Sequence, residues 1–159
     1  LSKEKMKKIN IEPIIQSVVD DYNSIYKVKK DIKIDYENDG KKEYSINGIE
    51  NRIEQMIANL LDNSISFTEK GGKIIVNISI TSNRKITVKI IDEGQGFKEK
   101  DTSKIFRRFY SNRPDKFGEH SGLGLNIVKN LVELHDGKIV ASNQPNNKGA
   151  IMEISFPSM

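Results

Sequence analysis

The sequence predicts an α/β (α+β) domain folded as a two-layer sandwich, in which helices pack on a sheet. Apolar residues recur at helical spacing in some segments, whereas in others they alternate with polar residues as in strands. The alternating segments come mostly in pairs around turn residues, which is typical of antiparallel hairpins. With 159 residues, of which 36% are hydrophobic and 30% charged, the chain suits one compact domain.

Composition argues against several functions. Cysteine is absent, which excludes disulfides, thiolate catalysis and cysteine-ligated metal. The net charge is +4, but the lysines are scattered and lack interleaved aromatic residues, so we expect no nucleic-acid binding. No apolar run approaches the roughly 20 residues that a membrane-spanning helix needs. We therefore expect no membrane contact by this domain.

The chain begins with a polar segment and an amphipathic helix. Residues 1–10 are lysine-rich and lack a clear apolar face, so we interpret them as a leader or a linker from an upstream element. Residues 11–159 are assigned to the domain itself. Residues 11–28 carry one apolar helical stripe, and Pro13 falls in the first turn, where proline is tolerated.

Two short strands and a second helix are predicted next. Residues 31–37 and 42–46 alternate on either side of an Asn-Asp-Gly turn, which predicts a hairpin. The apolar period becomes helical over residues 47–67, with Asn47 as the expected N-cap.

The second half of the chain begins with strongly alternating isoleucine and valine. Residues 73–82 and 85–92 alternate across an Asn-Arg turn, which predicts a second hairpin. A third helix is predicted to follow Gly124. Residues 138–142 and 150–156 close the chain as two strands joined by a polar loop.

A glycine motif leads into the third helix, where residues 121–126 read Ser-Gly-Leu-Gly-Leu-Asn. Gly122 and Gly124 let the main chain approach a ligand closely. Unpaired amides and the helix dipole at such an N-terminus would hold an anion such as a polyphosphate. The same glycine pattern also occurs in ordinary loops, so the motif alone leaves both interpretations open.

Two asparagines form a second motif on the predicted second helix. Asn59 and Asn63 are four residues apart, so their amides lie on one face, about one turn from each other. One interpretation is a helix surface or a buried amide with ordinary partners. The other is that one amide oxygen ligates a hard cation such as Mg²⁺, which prefers oxygen ligands and keeps several waters.

A third motif, Asp-Glu-Gly-Gln-Gly-Phe at residues 92–97, follows a predicted strand. It is compatible with a turn in which Asp92 is an N-cap or surface acid. Alternatively, Asp92 accepts a hydrogen bond from an exocyclic amine, and Gly94 and Gly96 make room for a flat base. Such a contact would select adenine over guanine, which presents an acceptor oxygen there.

Taken together, these motifs resemble the ATP-binding catalytic domain of sensor histidine kinases, in the superfamily that includes gyrase, heat-shock chaperone and mismatch-repair ATPases. Residues 59–63 are similar to its N box, and residues 92–96 to its first glycine box. Residues 105–110 are similar to its phenylalanine box, and residues 121–125 to its second glycine box. The resemblance extends over residues 11–157.

The resemblance implies a mixed, mostly antiparallel sheet of about five strands on three helices, with a mobile ATP lid at residues 111–120. It also implies the cofactors ATP and Mg²⁺. Asn63 would be the magnesium ligand beside Asn59, Asp92 would bind the adenine amine, and Phe67 would line the adenine. The other implied contacts are glycine-box residues and two lid cations, namely Gly94, Gly96, Gly122, Leu123, Gly124, Arg113 and Lys116.

The implied function is to bind Mg-ATP and supply the γ-phosphate for phosphorylation of a histidine in two-component signal transduction. The histidine would lie on a separate upstream dimerisation and phosphoacceptor domain, to which residues 1–10 would be the link. A response regulator would be a further partner. The resemblance also implies a cytoplasmic domain, with an inner-membrane sensor kinase as its parent.

The implied catalytic residues are Asn59, Arg113 and Lys116. Related members that hydrolyse ATP carry a glutamate at the position of Asn59, and an amide cannot deprotonate water. This favours phosphoryl transfer to a protein over hydrolysis. We interpret His120 and His135 as structural and expect no autophosphorylation by this chain alone. Two alternatives remain, which are an anti-sigma-type serine kinase and a nucleotide-free interaction module.

The sequence departs from the family pattern at a few positions. Ser66 stands where a lysine is frequent, so a phosphate contact is missing or comes from Lys70 or the lid. Glu119 and His120 replace smaller residues before the second glycine box. Ala150 stands where a small hydroxyl residue is frequent. None of these changes removes an implied primary ligand, so we expect ATP binding to be retained.

Overall fold

The computed structural model of the protein describes residues 5–97, 102–106, 124–145 and 148–159. Its helices are α1 (Ile11–Lys30), α2 (Glu50–Phe67) and α3 (Gly124–Leu134), and Thr102–Phe106 form a 3₁₀ turn. Its strands are β1 (Lys7–Asn10), β2 (Lys33–Asn38), β3 (Ser45–Gly48), β4 (Lys73–Ile80), β5 (Lys85–Asp92), β6 (Lys138–Asn143) and β7 (Ala150–Pro157). Within these described ranges, no helix combines the length and apolarity that crossing a membrane requires.

Five of the strands form the main sheet, in the order β2, β4, β5, β7, β6. β2 runs parallel to β4, and the other neighbours are antiparallel. The helices α1, α2 and α3 pack on β2, β5 and β6 respectively, and the apolar core lies between the two layers. The predicted two-layer sandwich with a mixed, mostly antiparallel sheet is confirmed.

The predicted hairpin between residues 31–37 and 42–46 is wrong. The turn forms, with Gly40 at φ 80°, but β2 pairs in parallel with β4 while β3 pairs antiparallel with β1. Pairing with β4 places the apolar side of β2 under the helices, and α2 supplies the crossover that a parallel pair requires. Asp39 accepts a hydrogen bond from the Ile80 amide at 2.8 Å, which ties the turn to the end of β4.

A short strand, β1, lies within the segment that the sequence marks as a leader or linker. It carries one buried apolar residue, Ile9, and pairs with β3 in a separate two-stranded sheet. One buried residue creates no periodic signal, so alternation could not reveal this strand. Its last residue, Asn10, caps α1 by accepting a hydrogen bond from the Glu12 amide at 3.3 Å.

The start of α2 is not capped by Asn47, so that prediction is wrong. Asn47 lies in β3, and the N-cap residue is Ile49, which makes no side-chain capping bond. The Ile49 amide instead donates to His135 Nε2 at 3.1 Å, and His135 Nδ1 lies 2.8 Å from the Leu131 carbonyl oxygen. This pattern assigns the proton to Nδ1. His135 therefore links the start of α2 to the end of α3, which agrees with the structural role expected for it.

The second predicted hairpin and the closing strand pair are confirmed. β4 and β5 are antiparallel neighbours joined by a tight turn in which Arg84 adopts the left-handed conformation at φ 62°. β6 and β7 are also antiparallel, and β6 forms an edge of the main sheet. The order of the strands places the end of β5 next to the start of β7, where the functional motifs meet.

Candidate functional site

The C-terminal half of α2 carries the two asparagines of the second motif. Asn63 is buried, with 6% of its surface exposed, and Asn59 is half-buried one turn earlier. The Tyr22 hydroxyl on α1 donates to Asp62 at 2.8 Å and to the Ala58 carbonyl at 3.2 Å. Burial and the neighbouring Asp62 carboxylate raise the pKa of Tyr22, so its hydroxyl stays protonated and holds α2 against α1.

The last turn of α2 has partners for its terminal carbonyl groups. Thr68 Oγ1 donates to the Ser64 carbonyl at 2.7 Å. The Lys30 ammonium donates to the carbonyls of Ile65 at 3.0 Å and Thr68 at 3.1 Å, which places a positive charge at the negative end of the helix dipole. These contacts fix the end of the helix that carries Asn63.

Two polar atoms near this end of α2 are buried without a partner. Within the described part of the chain, Asn63 Nδ2 and Ser64 Oγ make no hydrogen bond. Because buried polar groups in folded proteins almost always have a partner, these two atoms are candidates for contact with water, an ion or another molecule. An asparagine amide rotated by half a turn presents its oxygen instead, so Asn63 also suits a cation.

Asp92 ends β5 and is fully buried. Its Oδ1 accepts two main-chain hydrogen bonds, from Gly94 at 3.0 Å and from Ala150 at 3.1 Å. An ionised carboxylate has about four lone-pair sites, so it can accept further bonds. The two amides therefore orient a buried acceptor at the end of the strand, which is what recognition of an amine requires.

The loop after Asp92 contacts the end of α2 directly. A side chain on Gly94 would overlap the Phe67 carbonyl, so only glycine permits this approach. Phe67 is half-buried and is the last residue of α2, one turn beyond Asn63. The structure therefore brings Asp92, Phe67 and Asn63 to the same end of the α2 and β5 layers.

Gly96 lies so close to the side chain of Asn143 that a larger residue would not fit. It has φ 77°, and a Cβ atom there would lie 2.6 Å from Asn143 Oδ1. The side-chain amide of Asn143 accepts a hydrogen bond through Oδ1 from the main-chain amide of Phe97 at 2.6 Å. It also donates through Nδ2 to the Phe97 carbonyl at 2.9 Å. Contacts within the protein thus require glycine at both 94 and 96, which is a role beside the predicted one of making room for a flat base.

Sequence reasoning did not identify the turn between β6 and β7 as part of the site. Asn143 holds Phe97, and Gln144 Nε2 donates to the Asp92 carbonyl at 2.8 Å. Gly149 packs its main chain on the same carbonyl. The polar composition of this turn was the only local signal, and it does not distinguish solvent-facing amides from amides that hold another loop.

α3 begins at Gly124, which is exposed, and among the described residues no atom beyond its chain neighbours lies within 4 Å of the position where a Cβ would stand. α3 packs along α2 in the opposite direction, because His135 after its end contacts Ile49 at the start of α2. The 11 residues of α3 span about 16 Å, so its start lies level with the second half of α2. Counted back from the contact at Ile49, the start of α3 is about level with Asn59 along the axis of α2.

Four of the predicted site residues lie outside the described part of the chain, namely Arg113, Lys116, Gly122 and Leu123. The segment that is similar to the phenylalanine box is described only at residues 105–106. Phe106 is buried, and its carbonyl accepts a hydrogen bond from Asn126 of α3 at 3.1 Å. Phe109 lies outside the described residues.

Two of the positions that depart from the family pattern can be placed, together with Lys70. Ser66 is buried and donates to the Asn63 carbonyl at 2.9 Å, so its hydroxyl supports the helix. Lys70 is exposed in the turn after α2. Ala150 lacks a hydroxyl but contacts Asp92 through its main-chain amide. Glu119 and His120 lie outside the described residues.

A cation at this site would have few protein ligands. The described residues contain no group of three or more His, Cys, Asp or Glu side chains that could hold a metal ion. Mg²⁺ is commonly bound by one or two protein ligands, substrate phosphates and water. The buried amide of Asn63, whose nitrogen has no hydrogen-bond partner among the described residues, fits that kind of site.

The sequence is similar to that of a known protein family over more than half of the chain. A sequence model of the family described as "Histidine kinase-, DNA gyrase B-, and HSP90-like ATPase" matches residues 48–159. The sensor protein ChvG of Agrobacterium fabrum is 36% identical over 155 residues, which cover 93% of this chain and 26% of ChvG. The chain thus spans about a quarter of the length of this curated relative.

Two solved structures extend the comparison to the fold. The catalytic domain of the histidine kinase ThkA matches with a TM-score of 0.82 and 25% identity, over 98% of this chain and 99% of that one. ThkA in complex with the response regulator protein TrrA matches with a TM-score of 0.79 and 23% identity, over 97% of this chain and 42% of that one. Both matches support the two-layer architecture over nearly the whole chain.

Proposed function

The chain belongs to the family of histidine kinase-, DNA gyrase B- and HSP90-like ATPases, and we propose that it binds Mg-ATP and supplies the γ-phosphate for phosphorylation of a histidine on a separate dimerisation domain. ChvG and ThkA are named as a sensor protein and a histidine kinase. This relationship favours the histidine kinase over the anti-sigma-type serine kinase. Because the chain covers 26% of ChvG, the phosphorylation reaction and its partners are inferred for the longer protein.

The observation that carries the proposal is the contact between the loop after Asp92 and the end of α2. Gly94 approaches the Phe67 carbonyl so closely that no side chain fits. This contact places an oriented, buried carboxylate and a buried amide with an unsatisfied nitrogen around one end of the two layers. A nucleotide needs both an acceptor for its base and a metal ligand near its phosphates, and this arrangement supports both.

At the nucleobase end, Asp92 would accept a hydrogen bond from the adenine amine. Phe67 would line the base, and the loop with Gly94 and Gly96 would border it. At the metal end, Asn63 would ligate Mg²⁺, with Asn59 as a polar neighbour. When bound, the ion would neutralise charge on the phosphates.

The phosphates would be held by the start of α3 and by the lid. Gly122, Leu123 and Gly124 would offer main-chain amides at a helix N-terminus, where the dipole favours an anion. Arg113 and Lys116 would add positive charge, and the planar guanidinium of arginine can grip two phosphate oxygens.

Transfer to a protein is favoured over hydrolysis by the residue at position 59. Asn59 is half-buried on the same helix face as Asn63, and its amide cannot act as a general base for water. The chain would therefore position ATP and stabilise charge, while the attacking histidine comes from another domain.

The proposed partners follow from the relatives. ThkA was solved in complex with the response regulator TrrA, and we infer that the protein containing this chain also acts with a response regulator. Its own dimerisation and phosphoacceptor domain would be the direct substrate. We place the domain on the cytoplasmic side, where ATP is available, as part of an inner-membrane sensor kinase.

Calorimetry with ATP in the presence and absence of Mg²⁺ tests nucleotide binding. We expect saturable binding of Mg-ATP that Asp92→Ala weakens by about 1–3 kcal/mol, because one charged hydrogen bond to the base is lost. If the folded protein, checked by circular dichroism, shows no saturable binding, the proposal fails and the nucleotide-free module becomes the better description.

Phosphotransfer to an added acceptor domain tests the metal assignment. Asn63→Ala should abolish Mg²⁺-dependent transfer. The matched control is Asn51→Ala, an exposed asparagine at the other end of the same helix, which should retain it. Unchanged transfer by Asn63→Ala would show that the metal ligand has been misplaced.

A further inference from the structure

The turn between β6 and β7 reaches across to the end of β5. Gln144 Nε2 donates to the Asp92 carbonyl at 2.8 Å and to the Lys148 carbonyl at 3.3 Å. The Gln144 amide also donates to the Gly149 carbonyl at 2.9 Å, which closes the turn on itself. Gly149 has φ 128°, and a side chain there would overlap the Asp92 carbonyl. The turn is thus packed directly on the peptide group of Asp92.

The same turn also holds the side chain of Asp92. The Ala150 amide, buried at the start of β7, donates to Asp92 Oδ1 at 3.1 Å. Main chain and carboxylate of Asp92 are therefore fixed from one element that lies more than 50 positions away in the sequence. The bond to the carbonyl fixes the main chain of Asp92, and the bond to Oδ1 fixes the rotamer of its side chain.

Asn143 fixes the other end of the loop. Its amide forms a reciprocal pair of hydrogen bonds with Phe97, at 2.6 and 2.9 Å, which imitates the pairing of neighbouring strands. Phe97 is buried, with 6% of its surface exposed. The loop from Asp92 to Phe97 is held at both ends by consecutive amide side chains of the turn.

We propose that this turn, which we call the β6–β7 clamp (Asn143, Gln144, Gly149 and Ala150), sets the purine selectivity of the site by aiming the Asp92 carboxylate. Gln144 is the positioning residue, because it bonds to the Asp92 main chain and acts on the base only through Asp92. The inference rests on the proposed nucleotide function. A hydrogen bond from a 6-amino group weakens steeply when its angle departs from linear, so loss of the clamp should reduce recognition of that group in particular.

The test compares ATP with purine riboside triphosphate, which lacks the 6-amino group, in the full chain. Dissociation constants for both are measured for the wild type and for Gln144→Met, which keeps the length of the side chain and removes its polar atoms. The wild type should prefer ATP by about tenfold, as for one charged hydrogen bond. In Gln144→Met the preference should fall below about threefold, with the affinity for the analogue nearly unchanged.

Gln16→Met, at an exposed position on α1, is the matched control and should keep the wild-type preference. If Gln144→Met does not fold, Gln144→Asn retains the amide but shortens its reach, and the same loss of preference for ATP is expected.

A variant that stays folded and keeps the wild-type preference overturns the proposed role of the β6–β7 clamp, as does an equal loss of affinity for both nucleotides. If the wild type binds neither nucleotide, the proposed function fails as well, which distinguishes that outcome from failure of the clamp alone.

Discussion

The two ends of the candidate site differ in how their polar groups are satisfied. At the nucleobase end, the Asp92 carboxylate accepts bonds from two main-chain amides, and its carbonyl accepts one from Gln144. At the metal end, Asn63 is also buried, yet its amide nitrogen has no hydrogen-bond partner in the described residues. At one end main-chain amides already orient the acceptor, whereas at the other the buried amide nitrogen has no partner among the described residues.

Because of this difference, the two ends contribute differently to the stability of the fold and to the binding of a ligand. Contacts that the protein makes with itself contribute to the free energy of unfolding and orient the acceptor before a ligand arrives, which lowers the cost of binding. A buried amide with an unsatisfied atom contributes little to folding and gains its partner only on binding. Substitutions at the two ends should therefore have different effects on stability and on affinity.

The largest expected effect on the free energy of unfolding comes from a substitution at the nucleobase end. Gly149→Ala introduces a methyl group that overlaps the Asp92 carbonyl, in a backbone conformation that suits only glycine. Overlap and strain together should lower the free energy of unfolding by roughly 2–6 kcal/mol. The control, Gly40→Ala, also has positive φ but no neighbour within 4 Å, so it should lose only about 1–2 kcal/mol. Equal losses in urea denaturation would contradict the close packing of the turn on Asp92.

A smaller effect on the free energy of unfolding is expected when Asp92→Ala and Asn63→Ala are compared directly. Asp92→Ala leaves the Gly94 and Ala150 amides without their acceptor and should cost roughly 1–3 kcal/mol of unfolding free energy. Asn63→Ala removes an amide with an unsatisfied nitrogen and should change the same quantity by less than about 1 kcal/mol. Both free energies are measured by urea denaturation without nucleotide. Equal destabilisation would remove the distinction between the two ends.

The smallest effect is expected outside both ends, at Asp39. Burial raises the pKa of Asp39, but hydrogen bonds from the Tyr44 hydroxyl and the Ile80 and Lys41 amides outweigh it, so the pKa is lowered. A lowered pKa stabilises the fold above the unfolded-state value, near pH 4, and this contribution is lost as the pH falls through the folded-state value. Asp39→Asn should therefore be less stable than the wild type at pH 6, with a smaller difference at pH 3.

The exposed Asp20→Asn is the matched control for Asp39→Asn and should follow the wild type at both pH values. Urea denaturation at each pH provides the measurement. If the loss of stability of Asp39→Asn relative to the wild type were larger at pH 3 than at pH 6, the result would contradict the prediction. It would show that the carboxylate is not the form that the β2 to β3 turn stabilises.

The features that depend on one continuous segment could be predicted from the sequence. α1, α2 and α3 and the β4–β5 hairpin each carry their apolar period within a single stretch, and the turn at Arg84 lies between the two strands it joins. The motifs left structural and ligand-binding roles open for Asn63 and Asp92, and the family resemblance favoured the ligand-binding roles, because these residues stand at fixed offsets within short motifs.

Strand partners and the supports of the loop could not be predicted in this way. β2 and β3 alternate as a hairpin would, and the choice of β4 and β1 as partners depends on distant contacts such as that of Asp39 with Ile80. Gln144 and Asp92 are likewise 52 positions apart. A glutamine in a polar turn has the same local pattern whether it faces water or holds another loop.

The imidazole that joins the start of α2 to the end of α3 gives the site a mechanical property. A Cβ atom on Gly48 would lie 2.9 Å from the His135 ring, so the ring packs directly on the main chain of β3. It also accepts a hydrogen bond from the Ile49 amide. α3 is therefore held near both ends, by His135 at its C-terminal end and by the bond from Asn126 to the Phe106 carbonyl at 3.1 Å near its N-terminal end. Two attachments resist rotation of the helix about either one, so the fold sets the position of Gly124 relative to α2.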